Sequence, residues 1–295
     1  MSLRLAVATE DFDAPLKKAI GLASDCQVDG IRLNSRTEVP AATTTESSIR
    51  QIMLFVGERR MSVAGLICPT RHALIDAEFL EERLEVIRKS MTLARKLGTS
   101  ELLVRCGRIP DPDATTDDPL PAASIDSLAN PFSFSSTGLK SATAPSTRFS
   151  LLTEILNDLT RHGNHVGCVL NLQLANYDQR LILRLLTEVK AGPLNIVYDP
   201  ATAVMTGADV VSTYRDLYDR VGYLRGRDAL CDVDGAGVEV GIGDGVVDWE
   251  HLMPSLVEAD FKGWICVERS GGDHRAEDVR RGVSLLKTLL PQTNA

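Results

Sequence analysis

Four polar side chains that can do chemistry lie at the ends of four successive apolar segments in the second half of the chain. They are Gln173, Asp199, Arg225 and Glu268. Carboxylates can move protons or bind a divalent cation, whereas an arginine and a carboxamide can hold the oxygen atoms of a ligand. If the segments are parallel strands of one sheet, their carboxyl ends meet at one edge. The pattern therefore predicts one functional site there.

Eight apolar segments alternate with helix-like stretches along the chain. The clearest such stretch is Phe79–Leu97, where apolar residues recur every three or four positions until Gly98. Eight strand–helix units predict an α/β chain that forms a single (β/α)8 barrel over residues 1–295. An open doubly wound sheet is the alternative, but no Gly-x-Gly-x-x-Gly follows the first segment. The predicted strands are Leu3–Thr9, Gly30–Ser35, Ser62–Cys68, Glu101–Cys106, Val166–Gln173, Leu194–Asp199, Val221–Arg227 and Gly263–Glu268.

Alternation within these strands predicts which side chains point into the barrel. Asn171 and Gln173 alternate with leucines in the fifth strand, and Tyr223 and Arg225 share one parity in the seventh. An inward charge is costly unless it is paired or functional. We therefore expect Arg225 to form an internal ion-pair network with Asp199 and Glu268, to bind a ligand, or to do both.

Residues 109–148 interrupt the strand–helix alternation after the fourth strand. The segment is rich in Pro, Ser, Thr and Ala and contains Phe132 and Phe134. So long a connection in a compact domain is usually functional or irregular. Its position favours a lid over the barrel mouth, the carboxyl-terminal end of the strands, and a surface insertion is the alternative.

Four stretches carry a resemblance to a known family. They are Leu194–Ala201, Arg227–Ala229, Val240–Trp249 and Phe261–Ser270. Together they resemble the xylose isomerase-like TIM barrels, a superfamily that includes sugar-phosphate isomerases and epimerases and the endonuclease IV group. The resemblance spans nearly the whole chain and is strongest from Val166 onward. It also implies that copies of the chain can associate into a homo-oligomer.

The resemblance implies a divalent cation, Mn²⁺, Mg²⁺ or Zn²⁺, held by Glu, Asp, His and Glu on the fifth to eighth strands. Asp199 and Glu268 match two of these ligands, and the resemblance makes them the catalytic carboxylates as well. Gln173 and Arg225 stand at the other two positions, and Tyr223 replaces a further family His. Because an arginine has N–H donors only, it repels a cation. We expect the Arg225 guanidinium to replace the metal.

Further polar residues are predicted to bind the substrate. Arg105 and Asn171 lie in the fourth and fifth strands, and His72 follows the third. With Gln173, Tyr223 and Arg225 they would hold the hydroxyls or a phosphate of a carbohydrate-like small molecule.

Two functions stay open for the chain. The first is an isomerase or epimerase of a sugar, sugar phosphate or inosose that works without a metal or only weakly. The second is a non-catalytic descendant that binds a ligand or a protein. An endonuclease-like site is rejected, because the chain has five histidines and a net charge of −8, which also disfavours nucleic acid.

Sequence features also bear on location and redox state. No apolar run approaches the ~20 residues of a membrane helix, and no secretory apolar segment follows Met1, so we expect no membrane partner and a cytoplasmic protein. Cysteines within predicted strands are expected to be buried and reduced. These are Cys68, Cys106, Cys168 and Cys266.

Overall fold

Parallel strands close into a barrel with helices around it in the computed structural model, which describes residues 3–113, 145–231 and 237–290. The described residues form ten strands, which are β1 Arg4–Ala8, β2 Gly30–Asn34, β3 Ser62–Cys68, β4 Glu101–Gly107, β5 Val169–Leu174, β6 Leu194–Tyr198, β7 Val221–Gly226, β8 Asp228–Cys231, β9 Gly237–Val240 and β10 Trp264–Val267. Eight of them close the barrel in the order β1-β10-β7-β6-β5-β4-β3-β2, and β8 and β9 form a separate two-stranded sheet. The predicted (β/α)8 barrel is confirmed.

Helices connect the strands and cover the outside of the barrel. They are α1 Leu16–Asp25, α2 Glu46–Glu58, α3 Leu80–Lys96, α4 Pro145–Val166, α5 Gln179–Glu188, α6 Pro200–Met205, α7 Val210–Leu217, α8 Trp249–Glu258 and α9 Arg275–Thr288. Short 3₁₀ turns occupy Thr9–Phe12 and Tyr218–Arg220. Among the described residues, no helix is long and apolar enough to cross a membrane.

The sequence predictions for the fifth strand and for the helix after the third strand need correction. The fifth strand begins at Val169 rather than Val166, because α4 continues to Val166 and Gly167 ends it with φ +75°. Phe79 does not join the apolar stripe of α3, since it precedes the helix with φ +51° and its side chain is exposed.

The predicted lid, with its two phenylalanines, falls largely on residues 114–144, which lie outside the described residues.

The core has two layers separated by the strands. Leu170 and Leu172 face the helices, whereas side chains such as Tyr223 and Cys266 fill the barrel interior. The Tyr223 ring spans the interior to β3, where a Cβ atom on Gly65 would lie 3.2 Å from its Cε2 atom. Glycine at position 65 therefore lets a large ring fill the space between opposite walls.

The cysteine prediction is confirmed for the four strand residues. Cys68, Cys106, Cys168 and Cys266 are buried free thiols. Burial raises the pKa of Cys106 and of Cys168 to about 12, so both thiols stay protonated at neutral pH.

A hairpin that the sequence analysis did not predict follows β7 directly. Strands β8 and β9 pair antiparallel, with Asp228 opposite Val240 and Ala229 opposite Glu239. The hairpin interrupts the strand–helix alternation and extends the chain beyond the carboxyl end of β7. It therefore adds side chains to the mouth that a regular barrel would lack.

The Asp228 carboxylate fixes the loop that follows the hairpin. Its Oδ1 accepts N–H bonds from Ala229 and Val247 at 2.9 and 3.1 Å. Its Oδ2 accepts from Gly243 N and Trp249 Nε1 at 2.9 and 3.1 Å. The side chain is fully buried, so its desolvated charge is balanced by four N–H dipoles.

We predict that Asp228→Asn destabilises the protein by roughly 2–4 kcal/mol, because an amide would direct N–H donors at N–H donors and leave buried groups unpaired. The urea unfolding midpoint measures this. Asp209→Asn is the matched control, since the exposed Asp209 caps α7 by accepting from Ser212 N and asparagine caps a helix equally well. Equal midpoints for the two variants would contradict the assigned role of Asp228.

Candidate functional site

Arg225 lies between the two carboxylates that the sequence singled out. Its Nε donates to Glu268 Oε2 at 2.8 Å, and its Nη2 lies 2.7 Å from the same oxygen. On the other side its Nη1 donates to Asp199 Oδ2 at 3.3 Å. Asp199 directly follows β6 and Glu268 directly follows β10, while Arg225 lies near the end of β7. The predicted ion-pair network of these three residues is confirmed.

A second arginine links Asp199 to the hairpin. The buried Arg227 follows β7, and its Nη1 donates to Asp199 Oδ2 at 2.7 Å. Its Nη2 donates to Glu239 Oε2 on β9. Glu239 Oε1 also accepts from Ser270 N at 2.7 Å, just after β10. The hairpin thus supplies a third buried carboxylate to the mouth.

A third arginine extends the network to β1 and β2. Arg32 Nη2 donates to Glu10 Oε1 at 2.8 Å, and its Nε lies 3.5 Å from Glu268 Oε1. At the other end Arg269 Nη1 lies 3.4 Å from Glu239 Oε1. Arginines and carboxylates therefore alternate along the mouth, and we name this set the rim network. Its members are Glu10, Arg32, Glu268, Arg225, Asp199, Arg227, Glu239 and Arg269.

The arginines keep the central carboxylates ionised. Burial opposes the ionisation of Asp199, yet Arg227 and Arg225 outweigh it and lower the pKa of Asp199. In the same way burial of Glu268 is outweighed by Arg225 and Arg32, and its pKa is lowered. Both groups are anions at neutral pH and can accept hydrogen bonds or protons.

The predicted substrate-binding residues lie at different depths of the barrel. Gln173 and Arg105 are partners in the β4–β5 register near the mouth, and both are half-buried. Asn171 is fully buried one layer lower, where its Nδ2 donates to Glu101 Oε2 at 2.8 Å. Tyr223 is fully buried in the interior. The structure brings Gln173 and Arg105 together but places Asn171 toward the opposite end of the barrel.

His72 lies in the loop after β3. Its Nδ1 is 3.0 Å from Asp76 Oδ2, and a quarter of its side chain is exposed. This contact fixes the ring within its own loop. Substrate binding by His72 stays a prediction.

Sequence analysis did not assign several residues of the mouth to the site, among them Glu10, Glu239 and Tyr177. Glu10 lies just after β1, so the rule that placed Glu268 at a strand end would also have found it. Glu239 could not be placed at the mouth from the sequence, because the hairpin that carries it was not predicted. The Tyr177 hydroxyl accepts from Asp199 N at 2.7 Å and donates to Val197 O at 3.3 Å, which fixes the end of β6.

A divalent cation does not fit this arrangement. Such a cation needs several carboxylate oxygens free of donors, but Arg225 donates to both Asp199 and Glu268. The guanidinium also places positive charge where the cation would have to lie. In the described part of the chain, no group of three or more His, Cys, Asp or Glu residues could hold a metal ion. The donor and acceptor set suits the hydroxyls of an organic ligand better.

Solved structures of other proteins share this fold. A xylose isomerase domain protein from Planctomyces limnophilus is 17% identical, with 98% of both chains covered and a TM-score of 0.76. The 3-keto-D-glucoside 4-epimerase of E. coli is 14% identical, with 97% of this chain and 99% of that chain covered and a TM-score of 0.70. A xylose isomerase-like protein from Mycobacterium smegmatis, solved in complex with magnesium, is 17% identical over 97% of both chains, with a TM-score of 0.68.

Sequence identities this low show that the proteins share a fold, but they do not show a shared substrate or reaction. No curated protein sequence matches the chain. A family model described as xylose isomerase-like TIM barrel matches residues 20–289, which is most of the chain. The chain therefore belongs to the xylose isomerase-like TIM barrel family.

Proposed function

We propose that the barrel mouth binds a carbohydrate-like molecule without a divalent cation and isomerises or epimerises it by proton transfer. The family and the epimerase among the similar structures support the reaction class. The observation that carries the proposal is the position of Arg225, which donates to both Asp199 and Glu268. The guanidinium supplies the positive charge that a cation supplies in related barrels.

Arg225 is the residue of this triad that a ligand can reach most easily. Its side chain is 15% exposed, against 6% for Asp199 and 2% for Glu268. A sugar carbonyl oxygen beside the guanidinium would gain negative charge as a neighbouring C–H bond breaks. Fixed N–H donors stabilise such an oxyanion without solvent reorganisation. Arg225 would thus polarise the carbonyl and hold the enediolate.

Glu268 is the proposed base. To isomerise the sugar, its carboxylate would take the proton from the carbon next to the carbonyl and return it to the former carbonyl carbon, while the hydroxyl proton passes to the former carbonyl oxygen. To epimerise it, the same carbon would have to be protonated from the opposite face, and water would have to supply that proton. Gln173 cannot share this role because a carboxamide does not accept a proton at neutral pH. Among the described residues, its buried Nε2 has no hydrogen-bond partner. Gln173 would donate that hydrogen bond to a sugar oxygen.

One observation favours the second candidate function, which is ligand binding without turnover. Arginines lower the pKa of both Asp199 and Glu268. A carboxylate that already accepts charge-assisted hydrogen bonds is a weaker base. The same network that orients a ligand therefore reduces the driving force for proton abstraction.

We predict that the double variant Gln173→Glu, Arg225→His gains one divalent-cation site. It would present Glu, Asp199, His and Glu268, which are the oxygen and nitrogen ligands that such a cation accepts. Calorimetric titration with Mn²⁺ should give one equivalent of binding, whereas the original chain gives none. Gln173→Glu with Arg225→Lys is the matched control, because it adds the same carboxylate but keeps the positive charge. A folded double variant that binds no Mn²⁺ would refute the placement of these residues.

We predict turnover of a free or phosphorylated ketose that is unchanged when EDTA replaces Mn²⁺. Glu268→Gln should lower the rate at least about 10²-fold, because it removes the base. Chromatography of the sugar products measures both. Glu188→Gln is the control, since Glu188 is an exposed carboxylate on α5. Loss of activity in EDTA would reject the metal-free mechanism, and saturable binding without turnover would select the second candidate.

A further inference from the structure

Two arginines donate to the same oxygen of Asp199, but they do so unequally. Arg227 Nη1 lies 2.7 Å from Asp199 Oδ2, whereas Arg225 Nη1 lies 3.3 Å from it. Charge-assisted N–H···O bonds are about 2.7–2.9 Å long, so the contact of Arg227 is the stronger one. Burial raises the pKa of Asp199, and of the two arginines Arg227 lowers it more. Asp199 is therefore paired mainly with Arg227.

Arg225 is paired mainly with Glu268. Its Nε and Nη2 lie 2.8 and 2.7 Å from Glu268 Oε2. Burial raises the pKa of Glu268, and among the charges that lower it Arg225 has the largest effect. The two arginines and the two carboxylates thus form two unequal pairs, joined by the longer contact of Arg225 with Asp199.

Arg225 also keeps N–H donors that no described residue uses. A guanidinium has five N–H donors, and the contacts with Glu268 and Asp199 use one each on Nε, Nη2 and Nη1. Within the described residues, one N–H on each terminal nitrogen is left. The Arg225 side chain is 15% exposed, against 5% for Arg227, so a ligand in the mouth can reach these donors.

The hairpin fixes Arg227 from the other side. Arg227 Nη2 donates to Glu239 Oε2 on β9. Glu239 is itself held, since its Oε1 accepts from Ser270 N at 2.7 Å and lies 3.4 Å from Arg269 Nη1. Arg227 is therefore buried between two carboxylates. It could not turn toward a ligand without leaving Asp199 and Glu239 without their partner.

Backbone contacts hold Asp199 as well. Its Oδ1 accepts from Thr202 N at 3.3 Å, and its own N–H donates to the Tyr177 hydroxyl at 2.7 Å. With Arg227 beside it, Asp199 keeps its position and its compensating charge without Arg225.

We propose that Arg227, held by Glu239, is a positioning residue that neutralises Asp199 so that Arg225 stays available to a ligand. Without Arg227, the described contacts would leave Arg225 as the one arginine beside Asp199. A buried carboxylate would then draw this guanidinium toward itself and away from the mouth. Because Arg225 has N–H donors only, the ligand must present an acceptor oxygen to it. That this ligand is carbohydrate-like rests on the proposed function, whereas the division of the two arginines does not.

Double-mutant cycles on the urea unfolding midpoint measure which arginine is coupled to Asp199. One cycle combines Asp199→Asn with Arg227→Gln, and the other combines it with Arg225→Gln. We expect the first double variant to lose about 0.5 M less than the two single losses added together, and the second to be additive within about 0.1 M. Equal coupling in the two cycles, or stronger coupling of Arg225, overturns the proposal. If a glutamine variant does not fold, lysine replaces arginine in both cycles.

Calorimetric titration with D-fructose measures the effect on a ligand. Arg227→Gln should weaken binding about tenfold, whereas Arg227→Lys should keep most of the affinity because an ammonium group also neutralises Asp199. Arg281→Gln is the matched control and should bind as the original chain does. Arg281 also lies between two carboxylates, Asp244 and Asp278, but it is exposed on α9.

Two results of the titration would overturn the proposal. One is unchanged affinity in Arg227→Gln, and the other is an equal loss in Arg227→Lys, which would give Arg227 a structural role only. If D-fructose does not bind the original chain, the cycles alone decide the proposal. The lack of sugar binding then counts against the proposed function separately.

Discussion

Pairing of buried charges at the barrel mouth is the constraint on which the rest of the site depends. A guanidinium or carboxylate removed from water is costly unless an opposite charge and hydrogen bonds compensate it. Here Arg225 and Arg227 share Asp199, and Arg225 and Arg32 share Glu268. Removing one member would leave its neighbours buried and unpaired. The alternation of charge therefore fixes both the position and the ionisation of the two carboxylates.

The elements around the mouth serve this pairing. The closed barrel brings the ends of β6, β7 and β10 together, and the β8–β9 hairpin adds Glu239 as a partner for Arg227. Asp228 then fixes the loop after the hairpin through four N–H bonds. Two consecutive residues thus have different roles. Arg227 is part of the site, whereas Asp228 fixes the backbone that positions the site.

Much of the fold and part of the site follow from local sequence patterns. Strand–helix alternation was enough to predict the barrel, and the parity of β7 with the ends of β6 and β10 predicted the contacts of Arg225 with Asp199 and Glu268. The partners that the prediction missed depend on distant pairings. Glu239 reaches Arg227 through an irregular hairpin, and the Tyr223 ring lies against Gly65 across the whole barrel. Neither contact produces a periodic pattern of residues in a single sequence, so sequence analysis could not predict it.

We propose that Arg225 occupies the place of a divalent cation between Asp199 and Glu268. The most direct test is the anomalous scattering of crystals of the full chain soaked in Mn²⁺. We expect no anomalous peak near Asp199 and Glu268, with the guanidinium still bonded to both. A manganese peak between these carboxylates, with Arg225 displaced from them, would contradict it.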